Sequence, residues 1–363
     1  MMQENKPLKE SQIAALKTRW QKKDKESKLT LQQIMLRRLK VRCAKTSDRR
    51  PLKLDLRGIT LYNEDLSELD LSEYDFSYAN LNGSIFAKTN FSFSKFHHAT
   101  LEKADLDECE FMGADLTYAS LNECSAQQGG FGGANLSYAS LINSNLSKAT
   151  LSQSTLIHSD LRAANLSKAR LSESDLSHAI FTRANLVKCD LKDSDLRKTN
   201  FELADMQGAR LMSVKNFKTA NWIRVDIRDI DLRGAYLSKR FISDENYLYE
   251  FKMGSKLNMY LYHVWKATSD CGRSLSRFSI CILGITLVFA ALYTQVDINY
   301  GDNKTWFSPI YFSIVTLTTL GYGDVLPSSL AGQVIVTLHA LTGFTGLGGL
   351  LSILGNKLAR RAD

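Results

Sequence analysis

SDLRAANLSKARLSESDLSHAIFTRANLV, residues 159–187, sets an apolar side chain at every fifth place: Leu161, Leu166, Leu171, Leu176, Phe181 and Leu186. Followed outward, the register holds from Leu56 to Leu211. It covers 32 consecutive positions, of which 30 are Leu or Phe and the others are Ala126 and Met206. Two residues before each, from Ala79 to Ala209, stand 27 positions filled only by Ala, Ser, Thr, Cys or Gly. The residue just ahead of the Leu or Phe is often Asp or Asn, as at Asp105, Asp115, Asn135, Asp160, Asn165 and Asp175. Neither a period of 3.6 nor one of 2 generates this register, so the five-residue step is itself the structural unit.

A chain that turns a corner every five residues closes a four-sided coil in about 20, and successive coils stack about 4.8 Å apart. Small residues let each wall approach the axis, and Leu or Phe fills the middle. Residues 20 apart share a face, so Phe91, Phe111 and Phe131 are expected to stack, as are Phe181 and Phe201. Ala126, beside Gly129 and Gly130, predicts a local void or bulge. After Leu211 the frame slips by one: Phe217, Trp222, Ile227, Leu232 and Leu237 keep step with each other, which predicts one extra residue near 212–216.

This segment resembles the pentapeptide-repeat family, whose A(D/N)LxX pattern appears as Ala104-Asp105-Leu106, Ala164-Asn165-Leu166 and Ala184-Asn185-Leu186. The resemblance implies a right-handed quadrilateral β-helix and no particular activity. Some members mimic DNA, but that needs a strongly acidic surface, and the residues after 53 sum only to −3. The repeat also absorbs several apparent motifs. The Asn-x-Ser triplets at Asn135, Asn145 and Asn165 follow from it, and no helix can follow Gly129–Gly133 while the frame continues. Cys109, Cys124 and Cys189 fall on small inward places, and His97, His98, His158 and His178 read as ordinary outward or corner groups.

Over all 363 residues, 44% hydrophobic and 23% charged residues describe a folding chain of two or three domains. A slightly negative mean hydropathy averages unlike parts and speaks against a chain made mostly of spans. Six Cys without a CxxC pair indicate neither a disulfide scaffold nor a zinc site. The net +8 is uneven, since residues 1–53 alone carry 16 Lys and Arg against five Asp and Glu. No secretory signal is expected there, because no apolar core follows the basic start.

Two apolar stretches lie near the C-terminus. Phe278–Val296 passes without a charge and is long enough to cross a bilayer; a second span fits Leu330–Leu354. Lys252, Lys256, Lys266, Arg273 and Arg277 precede the first, and Lys357, Arg360 and Arg361 follow the second. Asp297, Asp302 and Asp324 stand between them against Lys304. By the positive-inside rule both termini and the repeat lie in the cytoplasm of a two-pass protein of the cell membrane.

Between the spans, apolar Trp306–Thr318 leads into Thr318-Thr319-Leu320-Gly321-Tyr322-Gly323-Asp324. Non-helical backbone at membrane depth is tolerated where it lines an ion or water path. Four copies can ring an axis with carbonyl oxygens that replace the hydration shell of K+, and Gly321 and Gly323 give the backbone that freedom. Tyr322 would face away, its packing holding the diameter. These residues closely resemble the selectivity filter of tetrameric two-transmembrane potassium channels, with Leu320 in place of the usual Val. The resemblance implies ion ligands at the carbonyls of Thr319, Leu320, Gly321 and Tyr322 with the Thr319 hydroxyl, and Gly323 completing the filter. Thr318 would support it, as would Asp324, braced through Tyr311. Val315 stands where some relatives carry a buried Glu. The resemblance also makes Gly343 a hinge candidate, with close helix packing the competing role. Packing is the preferred reading for Gly346, Gly348, Gly349 and Gly355. Leu347 and Leu351 are candidates for an inner constriction. His339 reads as a helix contact before a gating group.

The expected organisation is therefore a basic, partly helical arm and cap (1–53), a β-solenoid (54–240), a linker with an interfacial helix around Lys256–Trp265 (241–277), an all-α two-span pore domain (278–356) and a basic tail (357–363). The arm is expected to form a helix over Leu29–Val41 that caps the first coil. Anionic lipid is its second candidate partner and nucleic acid ranks last. The function expected is passive potassium permeation by a homotetramer, each chain meeting three identical subunits and membrane lipid. K+ is the permeant ion, with no organic cofactor. An unknown cytoplasmic ligand or protein would bind the repeat. The competing readings are a membrane-tethered interaction scaffold with a silent pore, and a weakly selective cation channel. No nucleophile–base pair stands clear of the repeat and the spans, so an enzyme is not expected.

Overall fold

The computed structural model describes residues 8–42, 55–231, 233–301 and 304–362, in two compact units that divide after Tyr247. The first unit holds the coils. Parallel bridges join residues 20 apart, from Asp55–Asp75 through Asp195–Lys215. Each wall donates one way and accepts the other: the amide of Leu106 reaches Ser125 O at 2.6 Å, and that of Asp105 reaches Ser84 O at 2.9 Å. Backbone polarity is thus satisfied between neighbouring coils. At each corner the amide three residues on closes a turn, as Ala79 N does on Phe76 O (2.9 Å), with Tyr78 at φ +61°. These are type II turns, which elsewhere demand Gly or Asn at that place; here Tyr, His, Lys and Glu take it, held by ladders on both sides. The recurring Asp or Asn has a cause too. Its side chain accepts the amide two residues on, as Asp115 does from Thr117 (3.0 Å) and Asn135 from Ser137 (3.1 Å).

The interior is filled as the register requires. Phe111 lies between Phe91 and Phe131 at ring separations of 5.0 and 4.8 Å, and Phe181 lies 5.3 Å from Phe201. Polar members of the small column bond either to carbonyls of the coil before, as Ser94 Oγ does to Leu71 O (2.7 Å) and Thr89 Oγ1 to Leu66 O (2.8 Å), or three residues back in their own coil, as Ser159 Oγ does to Leu156 O (2.7 Å). Burial pushes the Cys109 and Cys124 thiols up to about 12.

Two expectations need correction and a third is sharpened. No bulge forms at Ala126: the ladder runs unbroken through Glu110–Gly130–Thr150, and the Phe131 ring edge occupies the place a Cβ on Gly129 would take. The frame slip expected near 212–216 begins at the last of those residues. Bridges change from 20 to 21 residues between Asp195–Lys215 and Asn200–Asn221, and left-handed Asn216 with a 3-10 turn, Phe217–Thr219, takes up the extra residue. Trp222 then returns to the interior and stacks on Phe201 at 4.8 Å. Leu237 lies not in a coil but on α3 (Tyr236–Gly254), 72% exposed; Leu232 is outside the described residues. The outward histidines form an ordered column, Tyr78–His98–Tyr118–Tyr138–His158–His178, with ring centroids 4.5–5.2 Å apart.

Both ends of the coil stack are covered. At the first, α1 (Glu10–Arg19) and α2 (Leu31–Arg42) bury Trp20 and Leu39 in the common core. Arg19 donates to both carboxylate oxygens of Asp55 (2.8 and 2.9 Å) and to Arg57 O (2.9 Å), and Trp20 Nε1 donates to Arg57 O at 2.8 Å. Hydrogen bonds from Arg19, then Arg57, hold the Asp55 carboxyl far below the usual carboxylate range. Gly58, at φ +68°, admits the α1 backbone: a Cβ there would lie 3.0 Å from the Leu16 carbonyl carbon. The charge of the arm meets the acidic part of the chain, since residues 55–125 carry 14 Asp and Glu against four Lys and Arg. Residues 43–53 of the arm lie outside the described residues. At the other end α3 buries Ile242, and Asn246 accepts the Arg224 amide (2.6 Å) while donating to Trp222 O (3.1 Å). Neither helix α1 nor α3 was expected from sequence.

The second unit contains α4 (Lys256–Ser269), α5 (Leu275–Tyr293), α6 (Ser308–Leu317) and α7 (Leu330–Ala362), with a two-residue antiparallel pair, β1 (Ile298–Asn299) and β2 (Leu326–Pro327). Two helices, Leu275–Tyr293 and the Leu330–Gly355 part of α7, are long and apolar enough to cross a membrane. The first begins three residues before the uncharged run because Ser274 caps it, accepting the Arg277 amide at 3.3 Å. Asp302 and the side chains of the basic tail lie outside the described residues.

Candidate pore and selectivity filter

Helix α6 is short, opens with Pro309 in its first turn and packs between α5 and α7. Phe312, Ser313, Val315 and Thr316 are its buried face. Ser313, which sequence reasoning passed over, anchors it: its Oγ donates to Thr286 O on α5 at 2.7 Å. The signal was a small polar residue in an otherwise apolar pore helix. The helix ends in tight capping bonds, Thr319 N to Thr316 O and Leu320 N to Val315 O, both 3.1 Å.

From there the chain leaves helical geometry. Thr319, Gly321 and Gly323 take φ of +56°, +51° and +77°. Alternating left-handed residues rotate successive peptide planes, the device by which adjacent carbonyls can share one edge. Two of the three are glycines. Thr319 is the only β-branched residue at positive φ among the described residues, whereas the solenoid corners place none there. Such strain costs about 1–3 kcal/mol and concentrates at functional sites. Thr319 Oγ1 donates to Thr318 O (2.7 Å), and Thr318 Oγ1 to Ile314 O (2.8 Å). Tyr311 Oη donates to Asp324 Oδ2 at 2.8 Å. Leu320 and Tyr322 stand 59% and 67% exposed, so the packing expected of the Tyr322 ring is not made within one protomer.

Helix α7 runs unbroken through Gly343. A Cβ there would lie 2.3 Å from Leu317 O, so glycine is needed for the inner helix to lie against the end of α6. That contact supports packing. Gly346 and Gly349 continue the same face onto Ile282 and Phe278 of α5, while Gly348 and Gly355 have nothing within 4 Å. Leu347 and Leu351 are exposed, and Phe344 joins their stripe three residues earlier.

Comparisons with known proteins divide the chain at the same places. Residues 280–360 match the "Ion channel" family model, and 55–211 match the model for pentapeptide repeats. Over 79 residues the chain is 36% identical to the calcium-gated potassium channel TvoK of Thermoplasma volcanium, covering 22% of each chain. Over 80 residues it is 40% identical to a voltage-gated potassium channel of Aeropyrum pernix, covering 21% of this chain and 27% of the other. The chain thus spans less than a third of the length of these relatives. Among solved structures it is similar to HetL, a pentapeptide repeat protein of the cyanobacterium Nostoc. That match has 26% identity over 53% of this chain and 91% of that one, with a TM-score of 0.23.

Proposed function

We propose that this chain, which joins a pentapeptide-repeat β-helix to a two-helix ion-channel domain of the potassium-channel kind, assembles as a homotetramer and conducts K+ passively. Four filters meet on one axis, and the carbonyls of Thr319, Leu320, Gly321 and Tyr322 take the place of water around the ion. Asp324 and Tyr311 brace the filter from behind. The inner helices gate at the level of Leu347 and Leu351, with Gly343 also the candidate for bending. Both termini and the solenoid lie in the cytoplasm, where the solenoid regulates or assembles the channel.

The observation that carries this reading is the alternating left-handed backbone at Thr319, Gly321 and Gly323, directly after a short apolar helix set between two membrane-length ones. The full chain in liposomes should pass K+ or Rb+ and be blocked by Ba2+, with a reversal potential in mixed K+/Na+ close to that of K+. A reversal potential midway between the ions would make it a weakly selective cation channel. No flux under any condition, with a soluble partner captured on the coils, would make it a tethered scaffold.

A further inference from the structure

On the packed side of α7, among apolar neighbours, stands one imidazole. His339 is fully buried, and its ring lies flat on Phe289 of α5, with centroids 4.0 Å apart and planes 3° from parallel. Its Nδ1 is 2.8 Å from Oη of Tyr293, also on α5, so the two share one hydrogen bond across the helix pair. Nε2 has no hydrogen-bond partner among the described residues. The Tyr293 ring packs in turn on Phe312 of α6 at 4.8 Å. One helical turn after His339, Gly343 meets the end of α6. A single side chain therefore ties the inner helix to the outer helix and, through Tyr293, to the helix that carries the filter.

Packing alone does not select this residue. A Leu or Phe would fill the space without leaving a ring nitrogen buried and unpaired, an arrangement that is normally disfavoured. What the imidazole adds is direction. A hydrogen bond tolerates only about 0.5 Å of displacement before it fails, whereas apolar surfaces slide. A bond with that tolerance between two helices gives their contact two discrete arrangements, engaged and broken.

We propose that His339 is a positioning residue of the gate: its bond to Tyr293 holds the inner helix in the register seen here, and gating movement of α7 requires that bond to break. This rests on the channel reading above and adds the residues that set the resting position. In bilayer recordings of the full chain, Tyr293→Phe and His339→Leu should each change the open-to-closed ratio at least ~10-fold, in the same direction, while ion selectivity stays unchanged. The double variant should go no further than Tyr293→Phe alone, because both changes remove the bond to His339 and only the Phe variant also removes the hydroxyl from Thr316. His339→Asn, which sets a carboxamide near the place of Nδ1, should return the ratio to within about threefold of the parent. Single variants within about twofold of the parent, effects that multiply, or an Asn variant that behaves like the Leu one would overturn the proposal. Hydrogen exchange of the full chain tests it without conduction. Amides of residues 336–346 should exchange at least ~10-fold faster in the Phe and Leu variants but not in the Asn variant. Exchange that is equal in all three would sink the latch. If exchange responds while the parent passes no ion, the channel reading fails and the latch stands.

Discussion

The coil stack and the pore domain use the same unusual backbone in opposite ways. In the coils a left-handed residue recurs at every corner, where ladders on both sides hold it and the interior beneath is sealed by its own chain: Leu106, Leu161 and Phe181 are wholly buried. In the pore domain the left-handed residues lie in an irregular segment with no ladder partner in the same chain, and most of each membrane-length helix is left unburied. The solenoid closes on its own chain, whereas the proposed filter would be completed by other copies. Strain supported by neighbours of the same chain is architecture, while strain left exposed is where the proposed function puts other copies and an ion.

The sharpest way to break that contrast is a pair of glycines. Gly321→Ala should lower K+ flux at least ~100-fold, because each of four copies carries a side chain where the left-handed region costs it about 1–2 kcal/mol. Gly133→Ala, at φ +64° with nothing within 4 Å, carries the same local cost in every chain but lies at a corner where other side chains already adopt this backbone, and should leave flux unchanged. Next, Leu161→Ala should destabilise the solenoid by about 2–5 kcal/mol, lowering its melting transition while conduction persists below it. Full loss of flux with this variant would make the coils part of the conducting assembly.

Arg19→Met should free the arm from the first coil, seen as faster proteolysis between residues 20 and 55. Because the Asp55 carboxyl is held below its ordinary value, its contribution is present above about pH 4 and fades only in stronger acid. Arm protection should therefore be flat from pH 8 down to pH 5. Tyr311→Phe removes one bond to Asp324 and should show as a slightly earlier thermal dissociation of the proposed assembly in K+.

The smallest effect belongs to the ring column. Burial first, and then His158, Lys198 and Arg197, set the His178 imidazole below its ordinary value, so the unfolded chain takes up its proton first. Solenoid stability should then fall slightly as pH drops below about 6.5, and His178→Gln should flatten that slope.

Much of this was legible because the interior is written one side at a time. A Leu or Phe every fifth residue names its own neighbour 20 places on, so the Phe91–Phe111–Phe131 stack could be read before any coordinates. The same step misled at Leu237, where the frame persists by coincidence into a helix whose capping role depends on Asn246 meeting Trp222. Ala126 misled differently: a missing side chain implies a void only if its neighbour stays put, and Phe131 leans over Gly129. The glycines of the filter were readable as glycines, since no other residue explains them there. Thr319 was not readable as strained, because its φ follows from how α6 ends. Gly343 needed the position of Leu317, a contact between elements 26 residues apart.

The two closed ends give the coil stack a further property. Removing 20 residues from its middle would draw the far cover in by one rung, about 4.8 Å, with no rotation. Removing five would turn everything beyond the cut by a quarter revolution. Chain length is therefore a vernier: whole coils change reach alone, single repeats change heading together with about a quarter of a rung of reach, and neither adjustment disturbs the fittings at the two ends.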